Sequence, residues 1–192
     1  MKRILLPFYG LGCAALMATG PEPSPRLLES YSSFHGPMVV QTYAEGTFFH
    51  VKATTTLVEL PRTMAQQVPI LLNGLTTGRI GTLGPLCIVY HGLESDPAKP
   101  FEMEIGVMVP KDTQAVGVCQ VRRLPAFTCA STVFTGSFTE VEVGKAYKAL
   151  FPALIAEGKK PSGELRQMIF LWEGGSSRNN TMLVQIGLQS VN

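Results

Sequence analysis

Charge of either sign is scarce in this sequence. Only 16% of its 192 residues are charged, and the formal net charge is +2. Lys2 and Arg3 carry that excess, so the rest of the chain balances at zero. A nucleic-acid binder carries a basic face or a pI above roughly 9. The pI here is ≈ 8.4, and Arg122-Arg123 and Lys159-Lys160 read as a solvated turn and a helix end, so no nucleic-acid partner is expected. Metal chemistry is equally thin: there is no C-x-x-C, no Cys/His spacing fit for zinc, and His35, His50 and His91 stand far apart. "GTLGP" lacks the Lys-Ser/Thr ending of a phosphate loop. No serine or cysteine lies beside a histidine in a way that marks a nucleophile and its base. No cofactor is expected, and catalysis is not the favoured reading.

A long hydrophobic run is also missing. After Lys2-Arg3 the stretch "ILLPFYGLGCAALMA" is uncharged but shorter than the roughly 20 residues that a membrane helix needs. A basic start, a short apolar core and small residues near Ala18–Gly20 describe a secretory signal over residues 1–20. "GLGCA" also admits lipidation at Cys13, which would make the chain a membrane-anchored lipoprotein. The expected localisation is export, periplasmic or lipid-tethered, with no other membrane contact. Residues 21–36, "PEPSPRLLESYSSFHG", are rich in Pro and Ser and read as a tether. Of the remaining cysteines, Cys87, Cys119 and Cys129, at least one must be a free thiol. A Cys119–Cys129 disulfide and three buried thiols both remain open.

What the sequence does contain is a repeated phrase. Glu104-Ile105-Gly106-Val107 returns as Gln185-Ile186-Gly187-Leu188, 81 residues later. "IVYHG" at 88–92 returns as "FLWEG" at 170–174. Pro69 and Gly74 return as Pro152 and Gly158. These landmarks mark a duplicated unit of roughly eighty residues, over about 37–112 and 113–190. "TYAEGTFFHVKATT" alternates as a strand or a bent pair. Leu60, Met64, Val68, Leu71, Leu72 and Leu75 are spaced for one helical face, with a kink or late break at Pro69 and an end at Gly74. "GPLCIVYHG" and "FEMEIGVMVP" are two more strands around a polar turn. The second unit repeats the order with "FTCASTVFTG", a helix from about Val143 to Ala156, "RQMIFLWEG" and "TMLVQIGLQ".

The expected fold is therefore α+β: duplicated strand-helix-strand-strand units forming one antiparallel sheet, both helices on one face and the other face open. Alternation sends Met103, Ile105 and Val107 to the helix side and Glu102, Glu104 and Gly106 to the other. Leu86, Ile88 and Tyr90 share a side. Matched positions then face each other about an approximate two-fold: Tyr90 with Trp172, and Glu104 with Gln185. On a helix-free face they would line a groove. Tyr90 and Trp172 are the expected stacking pair for a planar ligand, Phe49 and Phe170 are candidate walls, and Glu104 is a carboxylate whose pKa should rise if it loses water.

In order and spacing, "GTLGPLCIVYHG", "FEMEIGVMVP" and "RRLPAFTCASTVFTGSFTEVEVGKAYKALFPALIAEG" resemble the GyrI-like small-molecule-binding domain. That domain is the effector-binding module of bacterial multidrug-responsive regulators such as Rob and BmrR, and its architecture is SOUL-like. The resemblance covers about residues 37–190. It implies two such units and a groove that takes a small organic ligand, often aromatic or cationic. Relatives commonly place a glutamate in the strand matching 165–172. Here that place falls on Phe170 or Gln167, and neither is acidic. The main functional expectation is a small-molecule binder taking an aromatic or amphipathic ligand. The alternatives are a hydrolase of a small electrophile with Glu104 as general base, and haem binding through His91.

Overall fold

The computed structural model describes residues 34–94, 96–138, 140–174 and 176–189. The stretch read as a signal, Cys13 and most of the stretch read as a tether lie outside the described residues. The elements are β1 (Phe34–His35), β2 (Val39–Tyr43), β3 (Gly46–Thr55), α1 (Leu60–Gly78), β4 (Leu86–His91), β5 (Phe101–Val109), β6 (Gln120–Leu124), β7 (Phe127–Thr135), α2 (Glu140–Ala156), β8 (Pro161–Leu171) and β9 (Thr181–Leu188). The sheet runs β1-β7-β9-β8-β4-β5-β3-β6, with β2 also on β7, and the strand pairs are antiparallel. Each unit contributes three adjacent strands, β3-β5-β4 and β7-β9-β8. They join where β4 meets β8, with Ile88 opposite Gln167. The duplicated strand-helix-strand-strand architecture is as the sequence implied. The described residues begin at Phe34, inside the stretch read as tether.

The sequence reading missed β1 and β6. "QVRRL" is not a solvated turn but a strand on the outer edge of β3. It runs through Pro125-Ala126 into β7, just as β2 runs through Ala44-Glu45 into β3. Tyr43 pairs with Phe127 and Gly46 with Leu124, so the two long bent strands keep one register across both bends. Each unit thus lends its leading strand to the other unit's edge, and the two ends of the sheet are tied together.

This tie changes the second face. It is helix-free, as expected, but not open. Phe48, Cys87, Val89 and Leu124 form a small second core there. The main core lies on the other face, where Val68, Leu71 and Leu75 of α1 and Ala146, Leu150 and Leu154 of α2 pack onto the sheet. α1 lies on β3 and β5, and α2 on β7 and β9. The centre of the sheet, β4 and β8, runs between the two helices.

Both internal prolines, Pro69 and Pro152, are accommodated within continuous helices. Gly74 does not end α1. It is buried mid-helix, where an added Cβ would lie 2.5 Å from the Cys119 Sγ and 3.2 Å from the Phe49 ring. The left-handed residue that closes α1 is Arg79, φ 51°; Gly158, φ 65°, takes that place after α2, as predicted. Cys87, Cys119 and Cys129 are free and buried. Cys119 sits against α1 and Cys129 on the opposite face, so the candidate disulfide does not form.

The glycines of the repeated phrase are close-approach positions. A Cβ on Gly106 would lie 2.3 Å from the Phe49 carbonyl oxygen, and one on Gly187 2.8 Å from the Phe127 ring. Gly144, within α2, has open space. Gly106→Ala is expected to destabilise by about 2–3 kcal/mol through forced backbone movement. Gly144→Ala should stabilise by about 0.5–1 kcal/mol through helix propensity. Urea denaturation of the two variants checks both signs.

Candidate functional site

The sheet's two faces hold two polar clusters of different kinds. On the helix-free face, Glu104 points from β5 into the second core and is only 5% exposed. Arg122 reaches it from β6, with Nε donating to Oε1 at 3.1 Å and to Oε2 at 3.0 Å; its Nη2 also donates to Oε2. His91 Nε2 lies 3.3 Å from Oε2, His50 Nε2 3.5 Å from Oε1, and Lys52 Nζ 3.8 Å from Oε1. Four strands thus converge on one carboxylate. Burial pushes its pKa up, but the hydrogen bonds and charge of Arg122, with His50 and His91, outweigh this and hold it below the ordinary value. The expectation of a raised pKa is therefore corrected, because desolvation here comes with a guanidinium. An open hollow of about 590 Å³ lies over the cluster, lined by Lys52, Thr54, Glu102, Glu104, His91 and Arg122.

His50 is fully buried beside it. Its Nδ1 lies 3.3 Å from the Phe48 carbonyl oxygen, and its Nε2, facing Glu104, makes no hydrogen bond. A neutral imidazole can donate to only one of these two acceptors. Burial nevertheless pushes its pKa below the ordinary value, against the pull of Glu104.

The second unit draws a similar layout with neutral groups. Gln185 donates to the Cys129 Sγ at 3.6 Å and bonds the Tyr43 hydroxyl, where Glu104 has His50 and Arg122. The acid and its amide in the repeated phrase therefore answer to their partners: β6 supplies a cation to one, β2 a phenol to the other.

Among the described residues the helix side buries no charged group. Tyr90 lies directly opposite Met103, so it shares Met103's helix-side face and is separated by the sheet from Glu104. This corrects its expected place on the helix-free face: directly opposed residues of an antiparallel pair share a side. Tyr90 is 2% exposed, and its hydroxyl donates to Gln167 Oε1 at 2.8 Å. Gln167 Nε2 in turn donates to the hydroxyl of Tyr147, on α2, at 3.3 Å. This Tyr90–Gln167–Tyr147 relay sits where β4 meets β8. Trp172 packs against the same core. A register irregularity between Ile169 and Leu171 resets the alternation, returning Trp172 to the helix side and leaving Phe170 43% exposed. Tyr90's ring contact is with Phe101 at 5.9 Å. Phe49 is fully buried behind α1. Tyr90 and Trp172 are thus on one face and Glu104 and Gln185 on the other. Tyr147 was not singled out from sequence; its only signal was its place on a helix facing the repeat.

Among the described residues no group of three or more His, Cys, Asp and Glu could hold a metal ion, and no helix is long and apolar enough to cross a membrane.

No family model matches the chain, and no curated protein sequence is similar enough to align with it. Solved structures do match. The crystal structure of the EcmrR C-terminal domain superposes with a TM-score of 0.66 at 13% identity, covering 81% of this chain and 98% of that one. In the EcmrR–DNA complex the score is 0.68 at 12% identity, and this chain spans 58% of that protein's length. SAV2435, solved bound to tetraphenylphosphonium, gives 0.56 at 10% identity over 80% of this chain and 94% of its own. A hydrolase from Listeria innocua gives 0.53 at 12% identity, covering 79% and 91%. The fold is that of the EcmrR C-terminal domain.

Two measurements test the ionic cluster. Arg122→Tyr leaves Glu104 buried without its guanidinium and is expected to cost about 3 kcal/mol. Adding Glu104→Gln to it copies the second unit's arrangement and should recover more than half of that loss in urea denaturation.

The cluster also sets a pH dependence. His50 and Glu104 both have folded pKa values below their ordinary 6.5 and 4.5. The folded state therefore binds fewer protons than the unfolded chain, and acid favours unfolding. Stability should be full above pH 6.5, fall as His50 is forced to ionise, and fall again below pH 4.5. Urea midpoints between neutral and acid pH check this, and His50→Leu should flatten the upper limb.

Proposed function

We propose that this domain binds a small organic molecule in the trough between α1 and α2, over β4 and β8. The observation that carries the reading is the Tyr90–Gln167–Tyr147 relay at the centre of the sheet. Buried polar groups are kept where they are bonded, and this bonded row sets an amide and two hydroxyls together at the centre of the helix side. Trp172, Leu60, Met64 and Tyr147, all partly buried, pack against the same helix-side core and offer it apolar and aromatic surface. This composition suits an aromatic or amphipathic ligand. The EcmrR effector-binding domain and the ligand-bound SAV2435 support the reading through their shared fold.

We also propose that the protein is exported. Lys2-Arg3, the short apolar run and the small residues before Pro21 support export, with Cys13 as the residue that would carry a lipid. The mass of the mature protein from its source reads both cleavage and acylation, and an unprocessed N-terminus would refute export.

The geometry does not favour a hydrolase built on Glu104. A general base works best with a pKa near the operating pH, and Arg122 holds this carboxylate the other way. His91, the haem candidate, is committed to the same carboxylate.

Trp172 is the chain's only tryptophan, so its emission reports directly on the trough. Titration with planar aromatic compounds should shift or quench it. Tyr147→Phe should weaken binding by about two- to tenfold, the worth of one hydrogen bond. Emission unmoved across a broad panel would overturn the trough reading.

A further inference from the structure

The trough reading leaves open which charge its ligand carries, and the partition of charge across the sheet decides this. Every buried ionisable cation or carboxylate among the described residues, namely His50, Glu104 and Arg166, lies on the helix-free face. The strand register fixes this. Glu104 is opposite Lys52 and Val89, Arg166 is opposite Val89 and Gln185, and His50 is opposite Gly106. The helix side, by contrast, buries neutral polar groups. At its centre the relay is one amide between two phenols, and burial pushes the pKa values of both Tyr90 and Tyr147 well above the ordinary phenol value. The floor therefore stays uncharged through the physiological range.

From this we infer that the trough selects uncharged ligands that accept a hydrogen bond, and that Gln167 is the residue that sets this preference. The inference rests on the trough reading and adds ligand class to it. Among the described residues no buried carboxylate lies on the helix side to meet a cation bound over β4 and β8, and the sheet stands between it and Glu104. Burying an uncompensated charge is far more costly than burying a bonded neutral dipole. A neutral ligand meets no such obstacle. Tyr147 accepts from Gln167, so its hydroxyl can still donate its own proton to a ligand oxygen. A carbonyl, ether or phosphoryl oxygen attached to an aromatic body matches that donor.

Two probes of similar shape and opposite character test the inference: triphenylphosphine oxide, neutral with one strong acceptor oxygen, and tetraphenylphosphonium, a permanent cation. Binding of each is followed by Trp172 emission and by calorimetry. The wild-type chain should bind the oxide at least roughly tenfold more tightly than the cation. Gln167→Glu should reverse that order, tightening the cation and weakening the oxide. Gln167→Met keeps the floor neutral and covers the case in which the acidic variant does not fold. It should lose affinity for the oxide and gain none for the cation. Wild-type binding of the cation as tight as that of the oxide, or a gain for the cation in Gln167→Met, overturns the charge preference and leaves the trough standing. Binding of neither probe, to the wild type or to Gln167→Glu, overturns the trough itself.

Discussion

The pairing of two long bent strands holds this structure together. One runs from β2 into β3 and the other from β6 into β7, and they stay in register across both bends. A sheet that ended at β3 and β7 would present two rows of unpaired backbone groups, the usual route to unwanted association. The pairing satisfies those rows within the chain. It also draws the helix-free face into a second core, and only this enclosure makes Glu104 a buried residue.

Enclosure decides the chemistry on each side. A carboxylate on an open sheet face would be an ordinary solvated glutamate. Inside, it requires a counter-charge, and β6, the strand that closes the sheet, brings Arg122 to it. The ionic cluster and the closure of the sheet are thus one arrangement seen twice. The helix side is built under a different rule. α1 and α2 cover the outer strands of their own units, and polarity at the centre is met by neutral hydrogen bonds. Charge and neutrality are segregated by the thickness of one sheet.

Much of this was legible in the sequence, and the reasons differ from residue to residue. Duplication was readable because Gly106 and Gly187 cannot be replaced without a clash, so the phrase around them survives in both units. Alternation along β5 placed Met103, Ile105 and Glu104 on their proper faces. The strand β6 was missed because Arg122-Arg123 looks like a solvated pair until its partner is known, and that partner lies 18 residues away in sequence. Gly74 misled because glycine has two uses in helices, closing them and letting another element approach, and the sequence does not say which. The placement of Tyr90 went wrong between strands: alternation sorts residues within one strand, whereas the register between strands ties one strand's faces to the next. Tyr147, the third member of the relay, is brought in by a helix from the other unit, which only the fold reveals.

The exchange of leading strands has a consequence for ancestry and engineering. Neither unit is complete alone, since its own first strand lies on its neighbour. A chain carrying one unit would leave β2 reaching outward and the far side of β3 uncovered, and a second copy would satisfy both needs reciprocally. The molecule is in this sense a strand-swapped dimer whose subunits have been fused end to end.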